Sequence, residues 1–116
     1  MQRRGEIWLA DLNPPEGTEP GKTRPVLIFQ SQALTDAGHP STYVIPLTTN
    51  LMNDAEPLRI RIAAVGTLPK ESDLLLDQMR AIDNRRLVKG PLLRLPAASM
   101  KQVGAALLEV LGDGNN

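Results

Sequence analysis

The chain has 116 residues, 13 basic and 13 acidic side chains, no cysteine and a single histidine, His39. A chain of this length is expected to form one domain, residues 1–116, that buries about two-thirds of its unfolded surface without a disulfide or a metal. A zinc site is not expected, because such sites use thiolates and imidazoles. No apolar run could cross a bilayer, and the chain starts with alternating polar and apolar residues instead of a leader, so a cytosolic protein is expected.

The charged residues are unevenly distributed along this neutral chain. Residues 59–94 carry eight basic and four acidic side chains, whereas residues 1–58 carry four basic and seven acidic ones. A neutral total ordinarily argues against a nucleic-acid-binding protein, and a mixture of charges is most often a solvated surface. The surplus in the second half is nevertheless compatible with a local basic groove.

Alternating apolar residues and β-branched content predict five strands, at residues 6–12, 25–30, 42–47, 58–62 and 73–78. The second strand is apolar from Val26 to Phe29, which is typical of a buried strand. In the fourth, Leu58, Ile60 and Ile62 are expected on one face and the two arginines on the other. The connecting segments are rich in Gly, Pro, Asn and Asp, and short strands joined by such loops indicate a small barrel or sandwich.

The end of the chain changes to a helical period. Pro96 suits a first helical turn, and apolar residues then recur at steps of three and four residues. This pattern predicts one amphipathic helix, whose apolar stripe is expected to cover an end of the barrel or a subunit interface. The stripe consists of Met100, Val103, Leu107, Leu108 and Leu111.

Polar side chains that could carry chemistry lie at the ends of the predicted strands. Arg24 precedes a proline at the start of the second strand, where a rigid strand can present its charge to a phosphate, although a solvated or ion-paired arginine is more common. Thr48 follows the third strand, and its hydroxyl either caps a turn, the more frequent use, or donates to an anion. Asp77 and Gln78 end the fifth strand, and a carboxylate there is more often a surface or turn residue than a base. The other candidates are Glu19, Thr49 and Gln78.

Three stretches, in this order and spacing, resemble the MazF/PemK/Kid family of toxins from toxin–antitoxin pairs: RRGEIWLADLNPPEGTEPGKTRPVLIFQ, VIPLTTN and LLLDQMRAID. The likeness runs from about Arg3 to Leu111. It implies a mainly β fold, a small SH3-like β-barrel with a C-terminal helix. It also implies a homodimer that cuts single-stranded RNA at short recognition sequences, without a ribosome, a metal or another cofactor, and a cognate antitoxin whose disordered acidic segment blocks the RNA site.

Carried over residue by residue, the resemblance implies that Arg24 is the catalytic arginine and Thr48 the hydroxyl at the strand end. The acidic residue of the first loop corresponds to Glu19 and that of the third motif to Asp77, and either carboxylate could be the base. The residues expected to bind RNA are Lys22, Thr49, Gln78, Arg80, Arg85 and Arg86.

The chain departs from some family members at two positions. Some members have a histidine one position before the loop glutamate, where this chain has Thr18, and some have an arginine two positions before the acidic residue, where it has Leu75. A proton-transfer scheme that uses that histidine and second arginine is therefore not available here. Arg24 is expected to carry more of the charge stabilisation.

The expected chemistry uses the ribose 2′-hydroxyl of RNA as the nucleophile, which gives a 2′,3′-cyclic phosphate and a 5′-hydroxyl. The main alternative is a DNA gyrase poison of the CcdB type, which is similar in fold and acts by protein binding through its terminal helix. The arginine–proline junction and the threonine pair favour the nuclease. A barrel that only binds a partner is less favoured, because all four candidate catalytic residues are present.

Overall fold

The computed structural model describes residues 1–14, 17–18 and 21–112. These residues form the strands β1 (Glu6–Asp11), β2 (Thr23–Ile28), β3 (Ser41–Thr48), β4 (Arg59–Ile62), β5 (Ser72–Leu75), β6 (Arg80–Asp83) and β7 (Leu87–Arg94). The helices are α1 (Gln32–Asp36) and α2 (Ala97–Val110). Two 3₁₀ turns, Leu76–Gln78 and Asn84–Arg86, lie on either side of β6.

The strands form an antiparallel sheet in the order β4-β5-β3-β2-β1-β7, and β6 pairs with β3 outside this path. Strand β3 connects three strands of the sheet, because it pairs with β2, β5 and β6. Over the described residues the path is open, with β4 and β7 at its ends, so the sheet is not a closed barrel. The predicted mainly β fold with a C-terminal helix is confirmed.

The central strands are buried on both faces. In β2, Leu27 packs into one apolar cluster, while Val26 and Ile28 pack into a second one on the other side, and none of the three is exposed. The same division holds in β3, where Ile45 and Val44 point to different clusters. Burial on both faces explains why the sequence of β2 is continuously apolar instead of alternating.

Helix α2 covers the first of these clusters. It begins directly after Pro96, whose backbone caps it, and it buries Val103 and Leu107. Two residues of the predicted stripe, Leu108 and Leu111, are instead 49% and 64% exposed. The helix thus closes one side of the sheet and leaves part of its stripe on the surface. Neither helix of the described part is both long and apolar enough to cross a membrane.

Two of the predicted strands have different bounds in the structure. Strand β5 stops at Leu75, and Asp77 and Gln78 lie in the 3₁₀ turn that follows, because the chain turns there to bury Leu76 in the first cluster. The prediction that the fourth strand begins at Leu58 is wrong. Leu58 precedes β4 in a turn and is 47% exposed.

Helix α1 and the strands β6 and β7 were not predicted. Strand β7 contains Gly90 and Pro91, which usually interrupt a strand, but β7 is at an edge of the sheet, where a proline is tolerated. The glycine is needed because the indole of Trp8 lies over it. A Cβ on Gly90 would be only 2.3 Å from a ring carbon of Trp8.

Candidate active site

Arg24 lies near the start of β2, opposite Ala10 of β1, and is half-buried. Its Nε donates to the carbonyl oxygen of Gly21 at 3.0 Å, and its Nη1 donates to that of Leu47 at 3.3 Å. Both acceptors are neutral. Burial lowers the pKa of Arg24, but an arginine stays protonated in proteins. The guanidinium is therefore a fixed and partly desolvated cation, which suits the binding of a phosphate.

Thr48 is the last residue of β3 and directly follows Leu47, whose carbonyl binds Arg24. Its hydroxyl accepts a hydrogen bond from the N–H of Asn50 at 3.1 Å, which is the turn-capping use. A hydroxyl has one proton as well as two lone pairs, so this bond leaves its proton available to donate. Capping and anion binding are therefore compatible at Thr48.

Asp77 and Gln78 contribute to a different feature, a cleft of about 270 Å³ that we call the Asp77 cleft. Arg24 is not among the described residues that line it. Glu19 lies outside the described residues, but its neighbour Thr18 lines the cleft. Thr18 and Asp77 thus line the same cleft. The other described lining residues are Met52, Ala55, Leu58, Arg59 and Leu75.

Thr49, which follows Thr48 directly, contributes to another feature of the molecule. It is exposed and lines an apolar groove of about 520 Å³ that also contains Lys70 and Lys89. Of the predicted pair, Thr49 therefore lines this groove, whereas Thr48 is not among the described residues that line it.

Two of the basic residues expected to bind RNA fix the base of the first loop. Lys22 has a left-handed backbone (φ 68°), and its N–H and carbonyl bond to the Oδ1 of Asn13 and the N–H of Leu12. Arg86 reaches the same segment, where its Nη1 donates to the carbonyl oxygens of Asp11 and Asn13. Arg86 thus has a structural role in addition to any contact with RNA.

Arg85 is paired with Asp83 by two side-chain hydrogen bonds, of 3.1 and 2.9 Å. These bonds and one from the Arg85 N–H lower the pKa of Asp83 to about 2. Arg80 is half-buried in β6, opposite Val44. Within residues 1–14, 17–18 and 21–112, no three His, Cys, Asp or Glu side chains are grouped closely enough to hold a metal ion.

Asp73 was not predicted as a functional residue. It lies in β5, is 1% exposed, and accepts hydrogen bonds from Arg61 Nε at 2.5 Å, from Arg59 Nη1 at 3.2 Å and from the N–H of Met52 at 2.9 Å. The sequence contained one signal for this contact. Two arginines on the same face of a strand repel each other unless an acidic residue lies opposite them on a neighbouring strand.

The chain is similar to characterised proteins over almost its whole length. Residues 3–111 match the family described as PemK-like, MazF-like toxin of type II toxin–antitoxin system. Endoribonuclease MazF of Staphylococcus saprophyticus is 38% identical over 114 residues, which cover 97% of this chain and 92% of that protein.

Solved structures show the same fold. The crystal structure of MazF from Deinococcus radiodurans has a TM-score of 0.78 to this chain at 23% identity, and the match covers 96% of each. An endoribonuclease from a mycobacterial species, in complex with its cognate antitoxin, has a TM-score of 0.75 at 20% identity, over 97% of this chain and 96% of that one. The family match and the Staphylococcus relative together show that the chain belongs to the PemK-like, MazF-like toxin family of type II toxin–antitoxin systems.

Proposed function

We propose that the chain is an endoribonuclease toxin that cleaves single-stranded RNA at short recognition sequences, in the cytoplasm and without a ribosome or a metal. Family membership and the name of the Staphylococcus relative, Endoribonuclease MazF, support this proposal.

The single observation that carries the proposal is the hydrogen bond from Arg24 to the carbonyl oxygen of Leu47. It holds the guanidinium beside the end of β3, where the Thr48 hydroxyl still has a proton to donate. A phosphate at this position would meet a cation and a hydrogen-bond donor that are both fixed in advance. Such preorganised donors are usually the largest contribution to transition-state stabilisation.

The proposed reaction uses the 2′-hydroxyl of the substrate as the nucleophile. The 2′-oxygen forms a bond to the adjacent phosphorus, the bond from phosphorus to the 5′-oxygen breaks, and the leaving oxygen takes up a proton. The products are a 2′,3′-cyclic phosphate and a 5′-hydroxyl. Two of the five N–H donors of Arg24 bind carbonyls, and the proposal assigns the others to the non-bridging oxygens. A metal is not required to generate the nucleophile, because the RNA supplies it.

The proton of the 2′-hydroxyl passes to a carboxylate, for which two candidates remain. Asp77 is exposed and lines the Asp77 cleft. Glu19 follows Thr18, which lines the same cleft. Either carboxylate could therefore accept the proton at this cleft.

The proposal also includes two partners. One is a second copy of the chain, and the other is a cognate antitoxin that covers the RNA site. The mycobacterial relative, solved with its cognate antitoxin, supports the second partner. An acidic antitoxin segment would compete with RNA for the same basic side chains.

Incubation of the purified protein with a long RNA in the presence of EDTA tests the proposed function. We expect cuts at a short recurring sequence, with 2′,3′-cyclic phosphate and 5′-hydroxyl ends. Intact RNA, together with inhibition of DNA supercoiling by gyrase, would instead support the gyrase poison, which the family match does not favour.

A further inference from the structure

The buried carboxylate of Asp73 joins two arginines of the neighbouring strand. Arg59 and Arg61 both project from β4, and the Cα of Arg61 is paired with that of Asp73 in the sheet. Each arginine contacts one oxygen of the carboxylate, Arg61 at 2.5 Å and Arg59 at 3.2 Å. We call these three residues the Asp73 clamp.

The clamp also binds the segment that follows β3. Arg59 Nη1 donates to the carbonyl oxygen of Asn50 at 2.8 Å, and Arg61 Nη2 donates to the carbonyl oxygen of Met52 at 3.2 Å and to Asn53 Oδ1 at 3.0 Å. Asp73 accepts from the N–H of Met52 at 2.9 Å. Four hydrogen bonds thus hold residues 50–53.

Apart from the hydrogen bond from the Asn50 N–H to the Thr48 hydroxyl, little else fixes this segment. Residues 50–53 form neither helix nor strand, and all four are exposed, including the apolar side chains of Leu51 and Met52. An exposed segment of this kind, without a buried side chain, would ordinarily sample many conformations. The clamp is therefore the main source of its order.

The clamp lies between the two parts of the candidate site. Asp73 is paired with Thr48 across the β3–β5 ladder. On the other side, Met52 and Arg59 line the Asp77 cleft together with Gln78. The described lining of the cleft includes both apolar and polar side chains, which is the combination that recognises an unstacked base. Its shape depends on where the clamp holds Met52.

The charge of the clamp is stable at neutral pH. Burial alone would raise the pKa of Asp73, but the hydrogen bonds from Arg61, from the N–H of Met52 and from Arg59 outweigh it and lower that pKa. Two arginines share one carboxylate, so the clamp has a net charge of plus one. This charge attracts the phosphates of an RNA backbone.

We infer that Asp73 is a positioning residue which, through Arg59 and Arg61, holds residues 50–53 in one conformation and thereby determines which bases the Asp77 cleft accepts. This inference depends on the proposed function, because it concerns the selection of RNA. Arg24 and Thr48 are anchored by β2 and β3. Loss of order in residues 50–53 should therefore change which RNA sequences are cut more than the rate at which a bound phosphodiester is cleaved.

The test compares the sequence preference of variants on RNA with a randomised single-stranded region, with the cut ends sequenced. Arg61→Met removes three hydrogen bonds and leaves Asp73 its bonds from Arg59 and Met52. The control is Arg94→Met, which removes an exposed arginine from β7, outside the clamp and the cleft. We expect Arg61→Met to reduce the ratio of kcat/KM between the preferred and the poor sequences at least about tenfold, mainly through KM, while Arg94→Met keeps the wild-type ratio.

A second variant, Arg61→Lys, tests the inference if Arg61→Met does not fold. Arg61→Lys keeps a positive charge beside Asp73, but a single ammonium cannot replace the fork that also reaches Met52 and Asn53, so it is expected to broaden the preference as well. If a folded Arg61 variant keeps the wild-type sequence preference while the wild-type protein cuts RNA, this inference alone is overturned. A wild-type protein that cuts no RNA would overturn the proposed function and the inference with it.

Discussion

The guanidinium of Arg24 donates a hydrogen bond to the carbonyl oxygen of Leu47, the residue directly before Thr48. This contact joins β2 to the end of β3, although Arg24 and Thr48 are 24 positions apart in the sequence. Neither acceptor of Arg24 in the described structure is a carboxylate. Its charge is thus kept available for an anion.

Substitution of Arg24 by alanine is expected to lower the rate of RNA cleavage by about a hundredfold or more, because a preorganised donor to the transition state is lost. The measurement is a single-turnover rate on a short RNA that contains one cleavage site. Circular dichroism and the Tm establish that the variant is folded. Arg94→Ala, in β7, serves as the matched control, and near-normal cleavage by folded Arg24→Ala would remove Arg24 from the site.

The role of the Thr48 hydroxyl is tested by a pair of variants. Thr48→Val keeps the shape of the side chain and lacks the hydroxyl, so we expect cleavage to fall about a hundredfold. Thr48→Ser keeps the hydroxyl and should retain most of the activity. The N–H of Asn50, which loses its acceptor in Thr48→Val, is exposed and can bond to water, so the Tm should change little. Equal rates for the two variants would contradict the proposed role.

The general base is tested by Asp77→Asn and Glu19→Gln, each of which keeps the size of the side chain but cannot accept the proton. The variant that lacks the true base is expected to have a kcat at least about a hundredfold lower than the wild type, because general-base catalysis typically contributes 10²- to 10⁴-fold. The other variant should be affected mainly in KM. If both variants keep kcat within a few-fold of the wild type, the proton is transferred by another group.

Acid should destabilise the protein in a defined pH range. The pKa of Asp83 is lowered to about 2 by hydrogen bonds from Arg85, whereas an unfolded aspartate has a pKa of about 3.9. Although burial alone would raise it, the pKa of Asp73 is also lowered, chiefly by the hydrogen bond from Arg61. A lowered folded pKa gives stability that is complete above the unfolded value and is lost as the pH falls through the folded value.

The Tm is therefore expected to fall as the pH decreases from about 4 to about 2. Asp83→Asn should make this fall shallower, because it removes one of the titrating groups. The effect of the exposed Asp83–Arg85 pair should also weaken at high salt. A Tm that stays constant across this pH range in the wild type would disprove the linkage.

Gly90→Ala is predicted to lower the folding stability, because the Cβ that it adds would be 2.3 Å from the indole of Trp8. Overpacking of this kind costs about 1–3 kcal/mol in the free energy of unfolding, which chemical denaturation measures. Gly104→Ala in α2 is the matched control. Its Cβ would be 3.8 Å from Phe29, an ordinary contact, and alanine is the better helix former by about 1 kcal/mol. Equal stabilities of the two variants would contradict this packing.

The elements that the sequence predicted well are those whose residues carry the signal themselves. Strand β2 was found because burial on both faces makes it continuously apolar, and α2 because its period is helical. Strand β7 was missed because Gly90 and Pro91 normally interrupt a strand. Its place at the sheet edge makes the proline acceptable, and the indole of Trp8 requires the glycine.

The candidate site was predictable to a similar extent. The resemblance pointed to Arg24 and Thr48, but not to the carbonyl of Leu47 that holds the arginine in place. The Asp73 clamp was missed, because its partners are joined across a sheet whose register the sequence does not show. The place of Thr49 in the groove of Lys70 and Lys89 was missed as well, since it depends on how the chain leaves β3.

The most direct test of the central claim is a crystal structure of the protein with an RNA that contains its cleavage site and a 2′-deoxy sugar at the nucleotide that would attack, so that it binds without being cut. We predict that a non-bridging oxygen of the scissile phosphate lies within about 2.7–3.2 Å of the Arg24 guanidinium and within hydrogen-bond distance of the Thr48 hydroxyl. A scissile phosphate that contacts neither side chain, for example one bound along the groove of Lys70 and Lys89, would contradict the proposed site.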